Sequence, residues 1–343
     1  MCTYWSGDQV LMNIRASGCW MEIFKYNQNE VFIMKNEVLY SIQAQRGDTL
    51  RCKGWKQESI LRMLENNMDV SECCERLVVY GGIGKAARNW ESYHAIVDSL
   101  KNLENNETLV VQSGMPVAIF KTHKLAPRVV MATTNIMKAD WPTFYDLQDK
   151  NLTIFANYTA APWEYIGTQG VIQGTFETLG AIAEQRFNGS LAGRILLTAG
   201  HGGMGANQPR AMSMHGGVCI AVDVNEDIID KRIEIGFTDV KADNLDHAIE
   251  LAQQAAAEKK PLGIGLVGNA ATVFQDAYDK GFMPDILTEM CPCHDPISYI
   301  PEGYDAYEAE GFRIRDRDGY LKAAGESMIK QLRTMIAYSK KGV

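Results

Sequence analysis

"LLTAGHGGMGANQPR", Leu196 to Arg210, is the stretch on which the fold reading turns. A short apolar run breaks into four glycines within six residues, Gly200 to Gly205, then resumes with residues able to open a helix. Gly200, Gly202 and Gly205 satisfy G-x-G-x-x-G, and Gly203 is an additional glycine. Glycine at those positions permits a tight turn and lets backbone N–H groups approach a phosphate closely. By itself the spacing fits a ligand-free turn equally well. The flanks tip the balance. "RILLTA" reads as a strand, "ANQPRAMSMH" as a helix, and "GGVCIAVDV" as a second strand ending in Asp223, 18 residues past Gly205. An acid at that place meets the ribose hydroxyls of a dinucleotide and favours NAD over its 2′-phosphorylated form. The N-terminus of the following helix adds amide donors and a favourable dipole for the pyrophosphate.

Outward from this turn the texture is alternating helix and strand. "GVIQGTFETLGAIAEQRF" reads as a helix before it. After it come helix "NLDHAIELAQQAAAEKK", buried strand "PLGIGLVG", helix "ATVFQDAYDKG" and strand "PDILTEM". That alternation predicts a parallel sheet covered on both faces, a Rossmann-like α/β domain over residues 167–343. Residues 44–166 read as a separate α/β domain. It has a helix from about Trp55 to Asn67, a strand–turn–helix across Tyr80–Arg88, and strands in "ETLVVQSG", "PVAIFKT" and "RVVMATT". Ala86, Trp90, Tyr93, Val97, Leu100 and Leu103 recur at helical spacing and give that helix one apolar face. Residues 1–43 form an N-terminal extension with weak strand-like alternation in "EIFKYNQNEVFIMKNEVLYSI" and no motif.

Charge narrows the function classes. A formal net charge of −8 without any basic stripe argues against nucleic acid as a partner. No apolar run approaches the ~20 residues that span a membrane, and the N-terminus lacks the pattern of a secretory signal. The eight cysteines show no regular framework, so they read as reduced thiols in a cytoplasmic protein.

Two further glycine turns fall at strand ends: "YGGIGKAAR" with Gly81 and Gly82, and "LVGNAAT" with Asn269 and Ala270. In open α/β sheets that edge lines the ligand crevice. Either turn is also consistent with a plain connection. "CPCHDP" (Cys291–Pro296) offers three groups able to ligate a metal, but no partner cluster completes a four-ligand zinc site, so no metal is expected. His294 there reads as part of a polar loop at the crevice edge. The other histidines, including His201, are scattered and read as surface or packing residues.

The strings "LVVYGGIGKAARNWE", "YIGTQGVIQGTFET", "LTAGHGGMGANQP", "GGVCIAVDV", "IGLVGNAA" and "HDP" stand in an order and at spacings that resemble the urocanate hydratase (urocanase) family, from about Gln43 to Val343. The resemblance implies a hydro-lyase of histidine degradation that adds water to urocanate to give imidazolonepropionate. It also implies a homodimer with tightly bound NAD used as an electrophile, without net redox. On matching positions the family's cofactor contacts fall on Gly81, Gly82, Gly203, Met204, Gly205, Asp223, Asn269, Ala270, His294 and Tyr299.

The family usually has Gln where this chain has Asn157 and Arg where it has Ile228, and its residues before Asp-Pro differ from Met290–Cys293. A urocanase C-terminal domain and the family's catalytic cysteine are expected beyond Val343, so no catalytic residue is assigned. Three alternatives remain open at this point: a hydratase for a modified urocanate, an inactive NAD-binding fragment, and an ordinary NAD-dependent dehydrogenase.

Overall fold

The computed structural model describes residues 42–293 and 295–343, together with the backbone of three earlier strands. The chain divides into two units, Met1–Ser41 and Ile42–Val343. In the first, β1 (Asn13–Ala16), β2 (Cys19–Tyr26) and β3 (Asn29–Met34) pair antiparallel in sequence order. The rest of residues 1–41 lies outside the described residues.

The second unit begins with α1 (Trp55–Asp69), which buries Leu61, Leu64 and Met68 along one stripe. Strands β4 (Val78–Tyr80) and β5 (Gly84–Lys85) form a short antiparallel pair closed by Gly81 and Gly82. Helix α2 (Trp90–Asn102) follows, its first turn capped where the Asn89 side chain accepts from Ser92 N–H at 2.8 Å. The glycine turn expected to run straight into a helix is therefore a hairpin turn first. Gly81 and Gly82 have φ of +68° and +79°, which reverses the chain before the helix can start. Ala86 and Leu103, although buried, lie outside α2.

Strands β6 (Glu107–Gln112), β7 (Met115–Lys121) and β8 (Val129–Ala132) make a sheet in the order β7-β6-β8. The short α3 (Trp141–Asp149) follows, capped by Asp140. Leu61, Leu64, Val79, Ile96, Leu100 and Trp163 share one core in this part of the chain.

Helix α4 (Thr168–Arg186) leads into β9 (Ile195–Ala199), α5 (Asn207–Met214) and β10 (Val218–Asp223). Then come α6 (Glu226–Glu234), β11 (Val240–Ala242), α7 (Leu245–Ala257), β12 (Leu262–Val267), α8 (Ala270–Asp279) and β13 (Ile286–Leu287). Two helices, α9 (Ala306–Arg315) and α10 (Arg317–Lys340), close the chain. The five strands form one wholly parallel sheet in the order β11-β12-β10-β9-β13. Its strands read as continuous apolar runs because both faces are covered. Ile195, Leu197, Val218, Ile220 and Val222 pack against the alanines of α7 and Phe274 of α8. Leu196, Cys219 and Ala221 pack on the opposite side against α4 and α5.

Sequence periodicity overlooked α6 and β11. Six of the nine residues of α6 are charged and only Ile229 is buried, so it carries almost no apolar stripe. The "PDILTEM" strand shrinks to two residues, Ile286 and Leu287, in register with Leu196 and Leu197 of β9, and the flanking amides of Asp285, Thr288 and Met290 donate to β9 carbonyls.

From β9 the chain moves one way to β10, and it returns on the other side of β9 as β13. The connections thus diverge at the carboxyl ends of β9 and β13, where such sheets open a ligand crevice. The sheet depends on the α8 packing, and Phe274 is fully buried in it. Phe274→Ala is expected to cost ~3–5 kcal/mol in a denaturant-unfolding measurement. A loss below ~1 kcal/mol would contradict this packing.

Candidate functional site

The turn after β9 is shaped by backbone contact. Gly200 has φ of +87°, and a Cβ on it would stand 2.5 Å from the Met290 backbone. A Cβ on Gly205 would meet the Gly200 carbonyl oxygen at 1.7 Å. These two glycines are required by close packing within the protein. Gly203 differs, since the nearest atom to its Cβ position is a Glu72 carboxylate oxygen at 3.2 Å. The turn's four glycines thus separate into two that let it close, Gly200 and Gly205, and two, Gly202 and Gly203, that face the Glu72 carboxylate at 3.2 Å across the space beside the turn.

That space is a cleft of about 790 Å³. Gly81, Gly82, Gly203, Met204, Gly205 and Asp223 all line it. The two glycine turns point amides at a common place. Gly203 N–H donates to Glu72 Oε1 at 3.1 Å, and Gly82 N–H donates to Oε2 of the same carboxylate at 3.3 Å. One exposed carboxylate therefore occupies a two-amide anion site built from separate parts of the chain. Arg232, whose Nε donates to the His201 carbonyl at 3.2 Å, is another cleft residue, as is Ile228. Asn157, in a left-handed conformation with φ of +42°, donates from its amide to the Tyr80 carbonyl at 3.0 Å.

Asp223 sits at the end of β10. Its Oδ2 accepts from His201 N–H at 2.7 Å and its Oδ1 from Asn225 N–H at 2.9 Å. Burial pushes this carboxyl above its usual range, opposed by those two amides and by Arg232. Asp223 also lines a smaller pocket of about 110 Å³ with Asn269, Ala270 and Tyr299. Asn269 caps α8 by accepting from Ala271 N–H at 2.9 Å, and its amide donates to the Ile300 carbonyl at 3.0 Å. The Tyr299 hydroxyl donates to Gln331 Oε1 at 2.7 Å, so the ring is anchored as a wall with its polar tip engaged. The structure thus brings together nine of the ten sequence-derived positions in two pockets that share Asp223. His294 lies outside the described residues.

Glu72 and Arg232 were not found by sequence reasoning. Glu72 belongs to an irregular connection, and Arg232 to the charged helix α6. Neither stands in a motif, and only the fold carries them to the glycine turns.

The thiols near the cleft are not activated. Burial pushes Cys293 up to about 12 and raises Cys291 well above its ordinary value. His201 is fully buried, with Nε2 at 2.7 Å from Thr238 Oγ1 and no partner for Nδ1. Burial, with Arg232 nearby, lowers its pKa from 6.5 to about 4.

Between those values the unfolded chain takes up a proton that the folded chain refuses. The His201 contribution is therefore fully favourable above about pH 6.5 and is lost as pH falls toward about 4. His201→Leu should accordingly gain stability relative to the parent as pH drops through that window, by up to roughly 3 kcal/mol in denaturant titrations. A pH-independent difference between the two proteins would contradict the buried neutral imidazole.

Residues 167–343 match the urocanase Rossmann-like domain, and residues 42–164 match the urocanase N-terminal domain. Among solved structures, the L-tryptophan dehydrogenase of Nostoc punctiforme is 14% identical, covering 98% of this chain and 91% of that one, with a TM-score of 0.20. A likeness that low carries no argument about fold or function.

Proposed function

Because the chain belongs to the urocanase family, over residues 42–164 and 167–343, we propose that its cleft holds NAD and serves the hydration of urocanate to imidazolonepropionate. The observation that carries this reading is the pair of amides, Gly82 N–H and Gly203 N–H, converging on one anionic group at the switch point of the sheet. A pyrophosphate oxygen has the charge and size to take the place of the Glu72 carboxylate there. Asp223 lies one strand away, where a ribose would present its hydroxyls. Arg232 adds a cation to the same wall.

When bound, NAD would supply an electrophilic ring that makes an aromatic imidazole susceptible to water. The chain's own residues bind and orient. Gly82 and Gly203 receive the phosphates, Asp223 the ribose, and Met204 offers an apolar flank. The described thiols keep their protons, so none is assigned the part of nucleophile or acid. A second reading, hydration of a modified urocanate, is favoured by Ile228, Cys291 and Pro292 lining the cleft at or near positions where the family differs.

The test is to denature the purified protein and weigh the released small molecules. NAD near one equivalent is the expected result, together with loss of urocanate absorbance and no appearance of NADH. NADH formation would favour an ordinary dehydrogenase, and absence of NAD from folded protein would sink the proposal. Glu72→Ala, which removes the internal competitor, should tighten NAD binding by ~3–10-fold in calorimetry. Gly203→Val, which fills the amide site, should weaken it by at least ~10-fold.

A further inference from the structure

A second cavity, of about 600 Å³, shares only Gly82 with the cleft. Five cationic side chains line it, Arg76, Lys85, Arg88, Arg313 and Arg317, against two carboxylates, Glu75 and Asp149. Such a surplus is out of character for a chain of net charge −8. Nothing in the family assignment or in the proposed chemistry uses it.

The cations differ in how they are satisfied. Arg317 pairs with Asp149 and lies over the Tyr145 ring, and Arg313 pairs with Glu310. Arg88 spends its guanidinium on the carbonyls of Ser113 and Gln112, at 3.0 and 3.1 Å, which leaves its charge unbalanced by any carboxylate. Arg76 and Lys85 have no side-chain hydrogen bond or ion pair among the described residues. Of the two acids, Asp149 is committed to Arg317, and Glu75 accepts from the Cys73 thiol at 2.8 Å. Lys85 is half-buried, and burial together with the neighbouring Arg76 pulls its ammonium below the ordinary range. A half-buried ammonium beside a guanidinium, both unpaired, is an arrangement that an anion relieves.

We propose that this cavity is a binding site for a small polyanion, a phosphate-bearing or polycarboxylate molecule, held by Arg76 and Lys85 with Arg88 behind them. The cavity's volume of about 600 Å³ suits a compact ligand. Arg76 offers a planar fork that matches two oxygens of one phosphate or carboxylate, and Lys85 offers a point charge with rotatable donors. The Arg313 and Arg317 pairs complete the positive wall without losing their own partners.

Calorimetric titration of the full chain with pyrophosphate, and separately with citrate, tests the site. One saturable event with a Kd below ~1 mM, weakening as salt is raised, is expected for at least one of the two. The tighter of the two identifies the ligand as phosphate-bearing or polycarboxylate. Lys85→Gln and Arg76→Gln should each weaken binding at least ~10-fold. Lys85→Arg should retain it, and Lys231→Gln, which removes a cation of the cleft, should leave it unchanged. Arg76 is exposed and makes no side-chain hydrogen bond or ion pair among the described residues, so that variant reports even if Lys85→Gln fails to fold. The absence of saturable binding by both anions would overturn the proposal. So would binding lost in Lys231→Gln but kept in Lys85→Gln, since the anion would then sit in the cleft.

Discussion

The backbone at Gly200 and Gly205 has no room for a side chain, and the site is built around that contact. Gly200 N–H donates to the Val222 carbonyl at 2.7 Å, and Met290 N–H donates to the Ala199 carbonyl at 2.7 Å. The turn after β9 is thus clasped between β10 on one side and the extension of β13 on the other. Only glycine lets the three backbones come so close. With the turn pinned, α5 starts where it does, β10 delivers Asp223 beside it, and Gly203 is left facing outward. The crevice is what remains between the connection that leaves β9 for β10 and the one that leaves β13 for the closing helices.

Much of this was legible because continuous apolar runs and glycine punctuation are local signals. Strands β9, β10 and β12 and helices α7 and α8 each bury most of one face or both, so their periodicity survives in the sequence. Asp223 was readable as the end of an apolar strand 18 residues past Gly205. Helix α6 was not, since its packing rests on Ile229 and its surface is charged. Gly319 and Gly325 likewise interrupt the helical pattern near the start of α10. Glu72 had no local signal at all. Its role depends on where the loop after α1 lies relative to a turn 131 residues away.

Net charge is equally blind to long-range placement. A value of −8 with no basic stripe describes the chain as a string and says nothing of which cations meet in space. Arg76, Lys85 and Arg88 come from around the β4–β5 hairpin, while Arg313 and Arg317 come from the two closing helices. No window along the sequence holds both groups. Two separate charged cavities can coexist across one short hairpin because each sees mainly its own lining, with charges farther than ~8 Å screened at physiological salt.

Glu72 explains how an anion cradle persists in a folded protein without an external anion. Two exposed amides aimed into a cleft would otherwise turn to water, and the carboxylate satisfies both. The arrangement has a consequence for any ligand that binds there. A pyrophosphate arriving at Gly82 and Gly203 exchanges one anion for another, so the amide bonds it makes replace bonds already present and contribute little net affinity. The surplus must come from contacts that have no internal substitute, chiefly burial of the ligand against the Met204 wall and the cation of Arg232. Burial lowers the pKa of Arg232, and the charges of Glu72 and Asp223 oppose that shift. Moving Glu72 away would free part of that guanidinium for the incoming phosphate. The same carboxylate that competes for the amides therefore holds in reserve the cation that rewards its displacement.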